Sequence, residues 1–211
     1  FLSKLKLDLY NLNLIGEVDI PDQRGNFFIF SFQTKFYICG SERVREAVVF
    51  QDMCKNYRPN KWRKLNPPPL ITLDSFKSMG IKEKTIQENC LKLLGQLVSQ
   101  NNQLLEQKGF QIKPQKNIEG EQSFSLTKVF QKILNYNASD LLEFIYKYQK
   151  EGDKTVTPRK MKKFLLEKTI EHGGTKIDGE ILLSLLEKAD EFSCPHQRPF
   201  FTELQSPRIQ A

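Results

Sequence analysis

The chain has 211 residues, 39% of them hydrophobic and 27% charged, with 32 Lys and Arg against 25 Asp and Glu for a net charge of +7. That length carries one large domain or two smaller subdomains with an adequate core, and no apolar run approaches the roughly 18 residues of a bilayer-crossing helix, so no membrane partner is expected. The four cysteines, Cys39, Cys54, Cys90 and Cys194, are too scattered for the disulfide framework of a small secreted domain, so a reducing compartment, cytosol or nucleus, is expected.

The chain opens at Phe1 without Met and without a signal-like pattern, as a piece of a longer protein would. Residues 11–18 alternate polar and apolar side chains and predict a strand. Residues 26–32 and 35–39 are aromatic and β-branched, and the short gap at Gln33 and Thr34 predicts an antiparallel hairpin. Ser41 caps a helix running to about Tyr57, with Val44, Val48, Val49 and Met53 on its buried face. Pro67, Pro68 and Pro69 fit neither a helix nor a central strand and mark the entrance to a second region. Residues 70–73 form a short strand candidate. Residues 82–108 predict a single long helix, its apolar stripe running through Ile86, Cys90, Leu94 and Leu97 to Leu104 and Leu105, stopped by Gly109. A strand follows at residues 110–113. Residues 123–134 are mixed, with helix in the second half, and Ser139 caps a helix to about Lys150. Thr157 and Pro158 start another helix, and Ile181, Leu182, Leu185, Leu186 and Ala189 mark the last one. Early strands with later helices give an α/β or α+β fold class, with a mostly helical insertion.

Two features carry chemistry. The first is the sequence Cys194-Pro195-His196-Gln197-Arg198-Pro199. Proline excludes helix here, so a thiol and an imidazole are presented from a turn. Both suit zinc, which takes four ligands in a structural site and three plus water in a catalytic one, so two are half a site. The plainer reading keeps Cys194 as a small buried hydrophobe and His196 as a hydrogen-bonding surface residue. The second feature is a pair of basic clusters. Lys55, Arg58, Lys61, Arg63 and Lys64 surround Trp62, and Arg159, Lys160, Lys162 and Lys163 follow later. Lys61, Arg63, Lys64, Lys160, Lys162 and Lys163 are candidate DNA contacts, against the alternative of an ordinary solvated face.

The order of these features resembles the C-terminal domain of MutL-family DNA mismatch repair proteins. Leu14-Ile15-Gly16-Glu17-Val18 is similar to the family's opening strand, and Asn26 to Phe30, Phe36 to Cys39, Leu65 to Pro69 and Leu105 to Phe110 follow in the family's order. The closing hexapeptide differs from the family's C-P-H-G-R-P only by Gln197 for glycine. The resemblance implies a MutL C-terminal fold. Its dimerisation subdomain would be built from residues 1–65 and 155–211, and residues 66–154 would be an inserted external subdomain, mostly helical.

Many family members are metal-dependent nicking endonucleases with the motif D-Q-H-A-x-x-E-x-x-x-x-E, whose carboxylates and imidazole hold metal ions. Here Gly40 stands at the aspartate position, Glu42 at the histidine, Glu46 at the first glutamate and Gln51 at the second. The family's A-C-[HKR]-x-A motif is absent. Arg43 and Arg45 add positive charge beside the would-be site, so Glu46 reads as a polar helix position and Cys194 and His196 as remnant ligands. The resemblance therefore implies a non-catalytic, PMS-type accessory subunit in the nucleus that pairs with an MLH-type partner. It would serve mismatch repair or meiotic recombination and meet DNA weakly or indirectly. No cofactor is expected in this piece, zinc included, and any ATPase would lie outside it. The alternatives are an active metal-dependent nicking endonuclease of the same family and, outside it, a zinc-stabilised nucleic-acid adaptor.

Overall fold

The computed structural model describes residues 11–20, 25–116, 122–152, 156–171, 176–189 and 193–204. In chain order the first elements are β1 (Asn13–Val18), β2 (Phe27–Phe32), β3 (Lys35–Gly40), α1 (Ser41–Asn56), β4 (Trp62–Lys64) and β5 (Leu70–Ile71). Next come α2 (Leu73–Ser78), α3 (Lys84–Gln100), α4 (Asn102–Gln107), β6 (Phe110–Lys116) and β7 (Gln122–Phe130). The chain ends with α5 (Ala138–Glu151), α6 (Arg159–Glu171), α7 (Gly179–Lys188) and β8 (Phe201–Glu203). The fold is α+β, with two antiparallel sheets. No described helix is long and apolar enough to cross a membrane.

The chain divides into two compact units, Phe1–Met53 with Leu166–Ala211, and Cys54–Leu165. The expected limits at 65/66 and 154/155 fall about a dozen residues from these divisions. Residues just outside the expected insertion belong with it because β4 pairs with β7, Trp62 opposite Phe130, and because Tyr57 and Phe164 both pack on Phe130.

The first unit is built on a sheet of order β1-β2-β3-β8. The β2–β3 hairpin forms as expected, with Phe32 opposite Lys35 and Gln33 at φ 55 supplying the left-handed residue such a short turn needs. Strict alternation sets the two faces. Phe28, Phe30 and Phe32 of β2 and Tyr37 and Cys39 of β3 are buried. They meet Val44 and Ala47 of α1, Leu182 and Leu186 of α7, and Phe200 and Phe201 in one core. Each fully buried side chain of this size contributes roughly 1.5–3 kcal/mol. The buried residues of α1 include Val44, Ala47 and Phe50, so its core face is rotated from the Val44, Val48, Val49, Met53 stripe, Val48 packing at the margin. The other face of the sheet carries Phe27, Ile29, Phe36 and Ile38, none of which belongs to that core.

The second unit has a four-stranded sheet with β7 at its centre, paired on one side with β6 and on the other with β4 and then β5. More of its residues lie in helices than in strands, as expected, and the helices are layered on this sheet. The helical second half assigned to residues 123–134 is corrected. As the central strand, β7 is buried on both faces over much of its length, and burial on both faces removes the period-two signature. The single helix over residues 82–108 is in fact two, α3 and α4, broken at Asn101 with φ −144 and ψ 47. Gly109 does end the helical run, at φ +86. The cap of α5 is Asn137 and not Ser139. The Asn137 side chain accepts from Ser139 N at 2.9 Å, and Asp140 accepts from Asn137 N at 3.0 Å.

Candidate functional site

Three side chains named from the sequence converge in the first unit. Glu46 projects from the second turn of α1, and Cys194 and His196 come from the C-terminal turn. Their ligand atoms all lie within 4.8 Å of one another, the only such group of three among the described residues. Cys194 Sγ is 3.9 Å from His196 Nδ1, and His196 Nδ1 is 3.8 Å from Glu46 Oε2. Glu46 therefore faces the remnant pair, where the sequence alone made it a polar helix position.

Local chemistry sets both supports of the group. The start of α1 is fastened to the turn before β2. Ser41 N donates to Asn26 O at 3.0 Å, Asn26 N donates to Ser41 Oγ at 3.1 Å, and Ser41 Oγ donates to Asn26 Oδ1 at 2.8 Å. The Asn26 amide also donates to Ile177 O at 2.6 Å and to Glu17, so a side chain only 1% exposed is fully engaged. Gly25 at φ +77 makes this approach feasible, because a Cβ there would sit 2.8 Å from Ser41 Oγ.

The second support is a tight hairpin. Ser193 bridges to Pro199, Cys194 N donates to Arg198 O at 2.8 Å, and Gln197 N donates to Cys194 O at 2.8 Å. Gln197 has φ 65. This is a three-residue loop whose last residue is left-handed, a position that favours glycine. Beyond it Phe201 packs edge-on against Phe30, and β8 pairs with β3, Cys39 opposite Phe201. Arg43 donates from Nη1 to Pro199 O at 3.2 Å, tying α1 to the hairpin. Its charge is thus directed at a backbone carbonyl, a role its sequence position did not signal.

The donor set fits one zinc ion. A thiol, an imidazole and a carboxylate are its usual ligands, and tetrahedral bond lengths place ligand atoms about 3.5 Å apart, close to the separations seen. Cys194 is buried, Glu46 half-buried and His196 exposed. The other expected positions stand apart. Gly40 ends β3 opposite Phe27 and offers no ligand. Glu42 lies outside the group, with Oε2 buried and without a hydrogen-bond partner. Gln51 is a neutral amide further along α1. The remaining thiols are protected, Cys39 pushed up to about 12 by burial and Cys54 and Cys90 raised for the same reason.

Of the six candidate DNA contacts, Arg63 and Lys160 bond the adjacent carbonyls of Tyr136 and Asn135. Arg63 Nη2 donates to Tyr136 O at 2.9 Å. Lys160 donates to Asn135 O at 2.7 Å and pairs with Asp140 at 3.0 Å. Both are thus structural. Lys61 and Lys64 are exposed on and beside β4, while Lys162 and Lys163 ride on α6. Two lysines that sequence reasoning passed over, Lys113 and Lys128, share a sheet face with Lys64, and only strand register reveals it. Compared with known proteins, the chain matches no protein-family model and no curated protein sequence.

Proposed function

We propose that this chain is the C-terminal dimerisation domain of a MutL-type mismatch repair protein, a nuclear PMS-type accessory subunit that pairs with an MLH-type partner and does not cut DNA. The observation that supports pairing is the apolar face of the first sheet that no core residue among the described residues covers. Phe27, Ile29 and Ile38 line it half-buried, Phe36 is 52% exposed, and Leu204 extends it, its N–H donating to Phe36 O at 2.9 Å. A contiguous apolar patch of this kind marks a protein interface.

In this reading the first unit is the dimerisation subdomain and the second the inserted external one. Glu46, Cys194 and His196 would hold a single metal ion that fastens the hairpin to α1. Nicking by a metal pair needs further carboxylates to bridge two ions, and Gly40 and Gln51 cannot supply them. This is the basis for reading the domain as non-enzymatic. Light scattering of the chain mixed with an MLH-type C-terminal domain should give a one-to-one complex, and two unassociated monomers would overturn the reading. With the partner and manganese present, supercoiled plasmid should stay uncut. Nicking that vanishes on Glu46→Ala would establish the endonuclease alternative instead.

A further inference from the structure

We propose that the outer face of the second sheet is a docking surface for the phosphate backbone of duplex DNA, independent of the dimerisation reading. Register defines the face. Phe110 and Ile112 of β6 point to the helix layer, Phe110 stacking on Tyr136 at 4.8 Å, so Gln111 and Lys113 between and beyond them point outward. Lys128 lies opposite Gln111 on one side and opposite Lys64 on the other. Tyr57 and Phe164 cover this face at Phe130; beyond them it presents exposed Lys64 and Lys113 and half-buried Lys128 and Gln111, with exposed Leu70 and Lys113 flanking the buried Ser125.

Three facts give this face its partner. First, Lys64 and Lys128 are a directly opposed cross-strand pair of like charge, which by itself destabilises a sheet. None of the three lysines is in an ion pair among the described residues. Second, charge is segregated. No residue of β4, β5, β6 or β7 is acidic, whereas the described acidic residues of this unit, Asp74, Glu83, Glu88, Glu106, Asp140, Glu143 and Glu151, lie on or immediately before helices. Third, the face offers ammonium and amide groups and the single apolar side chain of Leu70, but no exposed aromatic ring. Trp62 is half-buried, and Phe130 is buried beneath Tyr57 and Phe164. Single strands are held by stacking on exposed rings, so a face with donors and no exposed rings suits a duplex, gripped by its backbone without reading sequence.

The test is fluorescence anisotropy of a labelled duplex of arbitrary sequence with the full chain, across a salt series. Three phosphate contacts give a log–log salt slope of about −2.7, a loss of about 40-fold in affinity between 50 and 200 mM salt. The triple variant Lys64→Gln, Lys113→Gln, Lys128→Gln should lose that salt dependence and bind correspondingly weaker at 50 mM. A charge-matched control on the helix side, Lys77→Gln, Lys82→Gln, Lys92→Gln, should keep it. Far-UV circular dichroism confirms that both triples are folded. Equal losses in the two triples would show a mere net-charge effect and overturn the proposal. So would no binding by the unaltered chain, or tighter binding of a single strand than of the duplex.

Discussion

Replacing Phe36 by Ala tests the dimerisation face at its most exposed point. Phe36 sits on the side of β3 away from the core and is 52% exposed. A phenylalanine carries roughly 200 Å² of surface, so about 100 Å² of it remains for a partner to cover. At about 25 cal/mol per Å² that area is worth about 2.5 kcal/mol, or roughly 60-fold in Kd. Isothermal titration against an MLH-type C-terminal domain should show that weakening. The isolated variant should melt almost as the parent does, because Phe36 contributes little to the core. Phe30→Ala is the contrast, since Phe30 is 0% exposed and its loss should cost about 3–5 kcal/mol of stability. A folded Phe36→Ala chain that binds the partner undiminished would refute the assignment of this face.

Three further outcomes follow from local structure. Gln197 holds φ 65 in the C-terminal hairpin, so Gln197→Gly should raise stability by roughly 0.5–1 kcal/mol in urea unfolding, and a decrease would contradict the left-handed turn. Asn137 caps α5 through Ser139 N, and Asn137→Ala should cost about 1 kcal/mol in the same assay. Cys39 keeps its proton to about pH 12 in the fold while the unfolded thiol ionises from its ordinary 9.0. The folded state then binds more protons across that window, and stability falls as pH rises through it. Between pH 8 and pH 10 the parent should lose about 1.4 kcal/mol more than Cys39→Ala, and identical losses would count against the burial.

The parts of the fold legible in the sequence are those whose signal is local. The β2–β3 hairpin shows because one face is buried and the alternation of Phe28, Phe30 and Phe32 survives. The start of α1 falls at Ser41 as expected, but the Ser41 hydroxyl bonds Asn26 and does not cap the helix. The break at Asn101 does not show, since the apolar stripe of α3 runs on through Leu104 and Leu105 of α4 without a proline or glycine between them. Nor does β7, whose burial on both faces leaves no alternation to read. The candidate site was half legible. Cys194 and His196 announce themselves by spacing, but Glu46 lies nearly 150 residues away and joins them only once α1 and the hairpin are placed. The lysine face was hidden for the same reason, because opposition of Lys64 and Lys128 is a property of register.

The candidate metal group and the proposed partner face share a mechanical frame. The hairpin bearing Cys194 and His196 runs directly into β8, which pairs with β3 through Cys39 and Phe201, Ile38 and Thr202, and Tyr37 and Glu203. Those strands also carry Ile38 and Phe36 on the partner side, with Leu204 just beyond. On the core side, Cys39 and Phe201 are buried with Phe200, at most 5% exposed each. Side chains of consecutive residues point to opposite faces, so a partner pressing on Ile38 and Leu204 bears on the strand that positions the hairpin. Arg43 and the Asn26–Ser41 bonds hold the other support, α1, at two points near its start. Glu46 is thereby fixed on α1 while Cys194 and His196 depend on β8. The separation of 3.8 Å between Glu46 and His196 is the distance at which the two supports meet, held both by the Arg43–Pro199 bond and by the pairing of β8 with β3.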